Sequence, residues 1–225
     1  MAEPGAPYPP APWRLRGWGA ATVHAVDVNR VRRILPTGLH IVQVWPGKTF
    51  GGLAILSYER GSSLVYHELC VVAALVRVGR RFGFWLQRLD VDSDASLQGG
   101  RDIWRLPKRL AAFEIDEQSA ATEVCVRDAA GLTCRMTIRN STAPTLPRSP
   151  FPLRLPALAL NGGTARFFAA RFAARITSAH ITVQASPDGM IAALGLHRAP
   201  ALAFRFGELR LSVAAPHDDV RFGAP

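Results

Sequence analysis

Residues Gly99–Arg109 read GGRDIWRLPKR, and the lysine in this stretch sets the question. The chain has 27 cationic residues, of which only Lys48 and Lys108 are lysine and the other 25 are arginine. Lys108 follows Pro107 and precedes the apolar run Leu110–Phe113. A lysine that faces an apolar interior is either paired or neutral, because burying a lone ammonium is costly. A neutral amine is a nucleophile and forms an imine with a ketone. A guanidinium stays protonated and cannot do this. The alternative is a surface lysine that caps the Gly-Gly-Arg-Asp turn.

Upstream, DSDASLQGGRDIW predicts a helix capped by Ser93 or Asp92, with Gly99–Gly100 fraying or ending it. DVNRVRRILP predicts a short helix with Asp27 as N-cap and Pro36 closing it. Strand patterns cover GAATVHAV, HIVQVW, TFGGLAILSYE, SSLVYHELCVVAALVRVG and FGFWLQRLDV. In the fourth of these, alternate positions share a face. One face carries Tyr66, Glu68 and Cys70, the other His67, Leu69 and Val71. Both are apolar, so the strand is expected to be covered on both sides. Glu68 is then a carboxylate among hydrophobic neighbours, a pattern that clusters at working sites; its competing explanation is a partnership with a buried arginine. On the lone-carboxylate reading, removing its charge leaves stability unchanged or higher. His67 points the other way and reads as a hydrogen-bonded structural histidine.

After Lys108, LAAFEIDE, TEVCVRD and LTCRMTIR predict an antiparallel meander, and STAPTLPRSPFPLRLP a Pro-rich crossing loop. Further strands are expected around 165–184 and 201–214. ARFFAARFAAR suits either strand or helix. The sum is α+β: mostly antiparallel β, cone- or barrel-like, with few short helices. Residues 1–12 form a Pro-rich arm and residues 13–225 a single domain.

The formal charge of +10 invites a nucleic-acid reading. The arginines are scattered, however, and only RVRR and GRR cluster, so no nucleic-acid partner is expected. The longest apolar run, Leu69–Val76, is far short of the roughly 20 residues that span a bilayer. The opening MAEPGAPYPPAPWRLR has no apolar core of a leader. A cytoplasmic protein without a membrane partner is the expectation. Three cysteines without CxxC spacing fit a reducing compartment and no metal site. Cys125 and Cys134 flank a turn and fall on paired strands, with no disulfide expected.

GGRDIWRLPKR, preceded by LDVDSDAS and YERGSSLVYHEL, resembles the acetoacetate decarboxylase family. YPPAPWRLRGWG and VRRILPTGL are similar to the same pattern, which is strong over residues 8–115 and weaker beyond. The resemblance implies a cone-like β fold, a homo-oligomer, no bound cofactor, and Schiff-base lyase chemistry on a small keto acid. It implies Lys108 as the imine-forming nucleophile and Glu68 as the strand glutamate that orients substrate or moves protons. Arg109, Tyr66, Arg101 and Arg16 are the substrate-binding candidates. Three positions depart from the family pattern. Arg109 stands where a second lysine is usual. Gly51 or Gly52 stands where another glutamate is usual. An arginine of the first strand falls at Trp18, with Arg16 nearby. Relatives without these groups resemble aldolase–dehydratases acting on pyruvate, and a non-catalytic ligand-binding member of the fold is the third possibility.

Overall fold

The structure, a computed structural model, describes residues 7–118, 120–141 and 152–222. Half of the Pro-rich arm and residues 142–151 of the Pro-rich loop lie outside the described residues. Strands dominate, in the order β1 (Trp13–Asp27), β2 (His40–Ile41), β3 (Lys48–Tyr58), β4 (Tyr66–Val78), β5 (Arg81–Val91), β6 (Lys108–Leu110), β7 (Ala112–Glu117), β8 (Thr122–Asp128), β9 (Gly131–Asn140), β10 (Leu153–Asn161), β11 (Thr164–Ala185), β12 (Leu202–Val213) and β13 (Asp218–Arg221). Helix α1 (Val28–Arg32) follows β1, α2 (Asp94–Trp104) precedes β6, and α3 (Met190–Leu194) follows β11.

The sheet order β10-β5-β4-β3-β1-β12-β11 is closed by pairing of β10 with β11, giving a ring. Ring closure leaves β10 without an open edge; among the described residues, the sheet's strand order ends on a free edge at β7, at the end of the meander. Strand β11 runs on past the ring and continues into β9, β8 and β7, the expected antiparallel meander. Two cores result from the alternation of side chains. Inside the ring lie Trp13, Leu15, Tyr58, Tyr66, Cys70, Leu89 and Phe206. Outside it, Leu53, Ile55, Leu69 and Val71 pack under Val124, Met136 and Ile138 of the meander. This double cover is why β4 is apolar on both faces.

Several segments differ from the sequence expectation. HIVQVW yields only the two-residue β2, because the chain turns at Gly47 (φ 73°) and Val44 N–H bonds Lys48 O at 2.9 Å instead. ARFFAARFAAR is strand: adjacent Phe167 and Phe168 bury in the outer and inner cores respectively, so no single apolar face shows. The Pro-rich crossing gives way to β10 from Leu153 onward. Pro156 is tolerated there because β10 pairs with β5 only at the next two residues, Ala157 and Leu158. Helix α1 keeps its predicted cap, with Asp27 accepting from Asn29 N–H at 2.8 Å. Cys125 and Cys134 lie on paired strands and are free thiols.

His24 shares the outer face of β1 with Ala20 and Val26, and its Nε2 has no partner among the described residues. Burial, then the nearby His197, lowers its pKa from 6.5 to about 4. The fold therefore favours the neutral ring. Stability is full above pH 6.5 and falls as the pH drops towards 4, where the loss levels at about 3 kcal/mol. Urea midpoints measured across that window should decline, and His24→Gln should flatten the decline. The lowered carboxylates Asp27, Asp92, Asp128 and Asp219 weaken the fold only as the pH falls through about 3.8 and below. Burial raises Asp90, which therefore adds stability on acidification above 3.8 and works against the His24 decline.

Candidate active site

Lys108 opens β6, which pairs parallel to β5 at Leu89 and aims the lysine into the ring. The side chain is 2% exposed. Its Nζ lies 2.7 Å from Glu68 Oε2, 2.8 Å from Ser96 Oγ and 3.5 Å from the Tyr66 hydroxyl. It also sits 4.9 Å from the Tyr66 ring and 5.6 Å from the Trp13 ring, where an ammonium is favoured by the π-face. Glu68 comes from the start of β4, two residues after Tyr66, and accepts from the Tyr66 hydroxyl at 3.4 Å. It is neither a lone carboxylate nor an arginine partner: its partner is the lysine.

The other reactive groups in the chamber are quenched. Burial, and then the Glu68 carboxylate, pushes the phenols of Tyr58 and Tyr66 well above their usual range. Both remain proton donors. The same two causes push the Cys70 thiol up, so it is not a thiolate nucleophile.

Helix α2 delivers the rest. Ser93 caps it, accepting from Ser96 N–H at 3.3 Å. It does not end at Gly99–Gly100 but runs through them to Trp104. A methyl group on Gly99 would lie 2.6 Å from a Trp13 ring carbon, and one on Gly100 would lie 2.5 Å from Lys108 Cδ. The glycines are there for close approach, not for termination. The helix closes instead on Arg105, in the left-handed region at φ 56°, whose N–H bonds Arg101 O. The Arg101 guanidinium then donates to the Lys108 carbonyl from Nε at 3.0 Å and from Nη2 at 2.7 Å. Arg101 holds the lysine backbone and takes no place in the chamber.

Arg109 and Arg16 are placed outside as well. Alternation turns Arg109 to the opposite face from Lys108, where its charge acts on Asp90 and Asp128. Arg16 alternates with the inward Leu15 and is exposed, its guanidinium lying over Gly61. Trp18 packs on the outer core beneath Arg205. Gly51 and Gly52 have no room for a glutamate, since a Cβ would lie 2.8 Å from Val72 O or 2.0 Å from Thr22 O. His67 bonds Asp92 at 2.6 Å outside the chamber. Of the candidates, Lys108, Glu68 and Tyr66 converge; the three arginines do not.

Ser96 and Tyr58 are the additions. Ser96 lies four residues before Gly100, hence on the helix face that meets Lys108. Tyr58 is level with Tyr66 in the β3–β4 ladder, its ring 4.8 Å away, and its buried hydroxyl has no partner among the described residues. No group of three metal-ligating side chains is assembled among the described residues. No described helix is long and apolar enough to cross a membrane.

The glycine contact makes a prediction. Gly100→Ala should lower the melting temperature, since its methyl displaces a buried, ion-paired side chain and the gain in helix propensity of about 1 kcal/mol only partly offsets the strain. Displacing Nζ should also lower turnover by about 10²-fold. Parallel melting and rate measurements check this.

The sequence model described as acetoacetate decarboxylase matches residues 2–204. The chain belongs to the acetoacetate decarboxylase family. Acetoacetate decarboxylase from Legionella pneumophila superposes with a TM-score of 0.69 at 14% identity, covering 96% of this chain and 89% of that one. The enduracididine biosynthesis enzyme MppR complexed with pyruvate gives 0.63 at 15% identity, covering 97% and 93%. These likenesses establish the fold. Protein NEOXANTHIN-DEFICIENT 1 of Solanum lycopersicum is 30% identical over 106 residues, which span 47% of this chain and 36% of that protein. The match thus takes in about a third of that relative's length. Membership in the acetoacetate decarboxylase family supports a lyase-type enzyme.

Proposed function

We propose that this chain is an imine-forming carbon–carbon lyase with Lys108 as its nucleophile. The observation that carries the reading is the buried amine held 2.7 Å from Glu68 and 2.8 Å from Ser96 inside the ring. Glu68 accepts a proton from the lysine, and the freed lone pair attacks a ketone carbon. The proton returns to the resulting hydroxyl, water leaves, and an iminium remains. The iminium draws in the electron pair of the adjacent carbon–carbon bond, releasing carbon dioxide or an aldehyde and leaving an enamine. Protonation of the enamine and hydrolysis release the product and restore the amine.

Family membership supports a small keto acid as the reacting head. Loss of carbon dioxide and cleavage of an aldol bond pass through the same iminium. Glycine at 51 and 52, where the family pattern has a glutamate, supports aldol or dehydration chemistry on a pyruvate-type head over decarboxylation of acetoacetate. A cytoplasmic homo-oligomer without a bound cofactor is the accompanying proposal. Borohydride reduction in the presence of acetoacetate or pyruvate is expected to add the reduced adduct's mass to the peptide holding Lys108. An adduct on Lys48, on the N-terminus, or nowhere at all overturns the mechanism.

A further inference from the structure

The inner wall of the ring changes character with distance from Lys108. Helix α2 stoppers the end where Trp13, Tyr58 and Tyr66 meet, and the groups there are fully buried. Moving along β4 away from that end, the wall becomes half-buried and stays largely apolar, interrupted by Ser178 opposite Phe204. Leu56 lies opposite Glu68 on β3, and Ile176 joins the same level through Phe206 and Gly19. One step on, Ala54 pairs with Cys70, Ala21 with Ala54, and Phe204 with Ala21. Val72 continues the face beyond them. All six of Leu56, Ile176, Ala54, Ala21, Phe204 and Val72 pack on the inner core yet remain only partly buried.

Partly exposed apolar residues that line an interior mark space a ligand can fill. From Glu68 to Val72 the wall extends about 13 Å, at roughly 3.3 Å per residue. The three arginines that a short keto acid would use for its carboxylate are turned away from this wall. At the opposite end, the Tyr58 hydroxyl, which has no partner among the described residues, supplies a donor for a ligand oxygen beside the amine.

We infer that the ligand is a carbonyl compound with an apolar tail, four or more carbons beyond the reacting head, lying along the Leu56–Ala54–Val72 wall. The reacting head rests on the imine reading above; the tail does not. Each fully buried methylene strengthens binding about fourfold. On a half-buried wall about twofold is expected, hence at least tenfold across four methylenes.

The experiment has two arms on the intact chain. In the first, borohydride trapping is titrated with acetoacetate, 3-oxohexanoate and 3-oxooctanoate, and the Lys108 peptide is read by mass. In the second, calorimetry follows 2-butanol, 2-hexanol and 2-octanol, which match the tails but form no imine. The expected result is a half-trapping concentration that falls at least tenfold over the first series, a parallel trend in the second, and loss of both trends in Ala54→Phe. An adduct on Lys108 with no dependence on tail length overturns the tail and leaves the imine reading standing. A trend among the alcohols, lost in Ala54→Phe, with no adduct from any keto acid upholds the tail and overturns the imine reading. Neither adduct nor trend overturns both. Leu56→Ala, which widens the wall, guards against misfolding of Ala54→Phe by shifting the preferred length upward.

Discussion

Lys108→Arg is expected to abolish the borohydride adduct and to lower turnover by on the order of 10⁴-fold or more, as removal of a covalent nucleophile does elsewhere. Arginine keeps the positive charge beside Glu68, so the carboxylate is not stranded. It cannot offer a lone pair, because the guanidinium stays protonated. Its greater bulk must fit against Gly100, which costs about 1–3 kcal/mol of packing. Lys108→Met, slimmer and neutral, controls for that strain when combined with Glu68→Leu, since alone it strands the carboxylate. Turnover within tenfold of the native rate in a folded Lys108→Arg protein rules out covalent catalysis by this residue.

Glu68→Leu is expected to destabilise the fold by about 3–5 kcal/mol, because it strands the ammonium of a lysine only 2% exposed. Glu68→Leu combined with Lys108→Met should recover that loss, ending near native stability or above it. This reverses the expectation for a lone carboxylate, whose removal would leave stability unchanged or raised. The pairing at 2.7 Å decides the sign. The more conservative Glu68→Gln should lower turnover by about 10²-fold through loss of proton transfer. Denaturant midpoints for the two single variants and the double variant measure the coupling directly. Equal and additive losses would show that the two residues do not support each other.

Much of this architecture is legible in the chain. β4 announces itself as a doubly covered strand because Leu69 and Val71 are as apolar as Tyr66 and Cys70. Lys108 stands out because arginine supplies nearly all the other cations. What escaped has physical reasons. Glycines usually end helices, so Gly99 and Gly100 read as a stop; only contact with Trp13 and the lysine stem shows that they permit close approach. Arginine near a motif reads as an anion binder, yet strand alternation turns Arg109 and Arg16 outward, and Arg101 is consumed by the Lys108 carbonyl. Ser96 carries no motif at all. Its role arises from one helical turn of spacing and from where β6 happens to pass.

The order of the ring strands separates two tasks along the chain. Every group placed beside the amine, from Tyr58 to Ser96, precedes residue 109. Among the described residues, the strands after residue 152 furnish mainly hydrocarbon to the interior near Glu68, chiefly Ile176, Phe204 and Phe206, with the Ser178 hydroxyl beside Phe204. Changes there can retune which molecules are admitted while the reacting groups stay untouched. Substitutions at Ile176, Phe204 or Phe206 would therefore reshape one side of the wall, the other side being Ala21, Ala54, Leu56 and Val72, without replacing any group beside the amine.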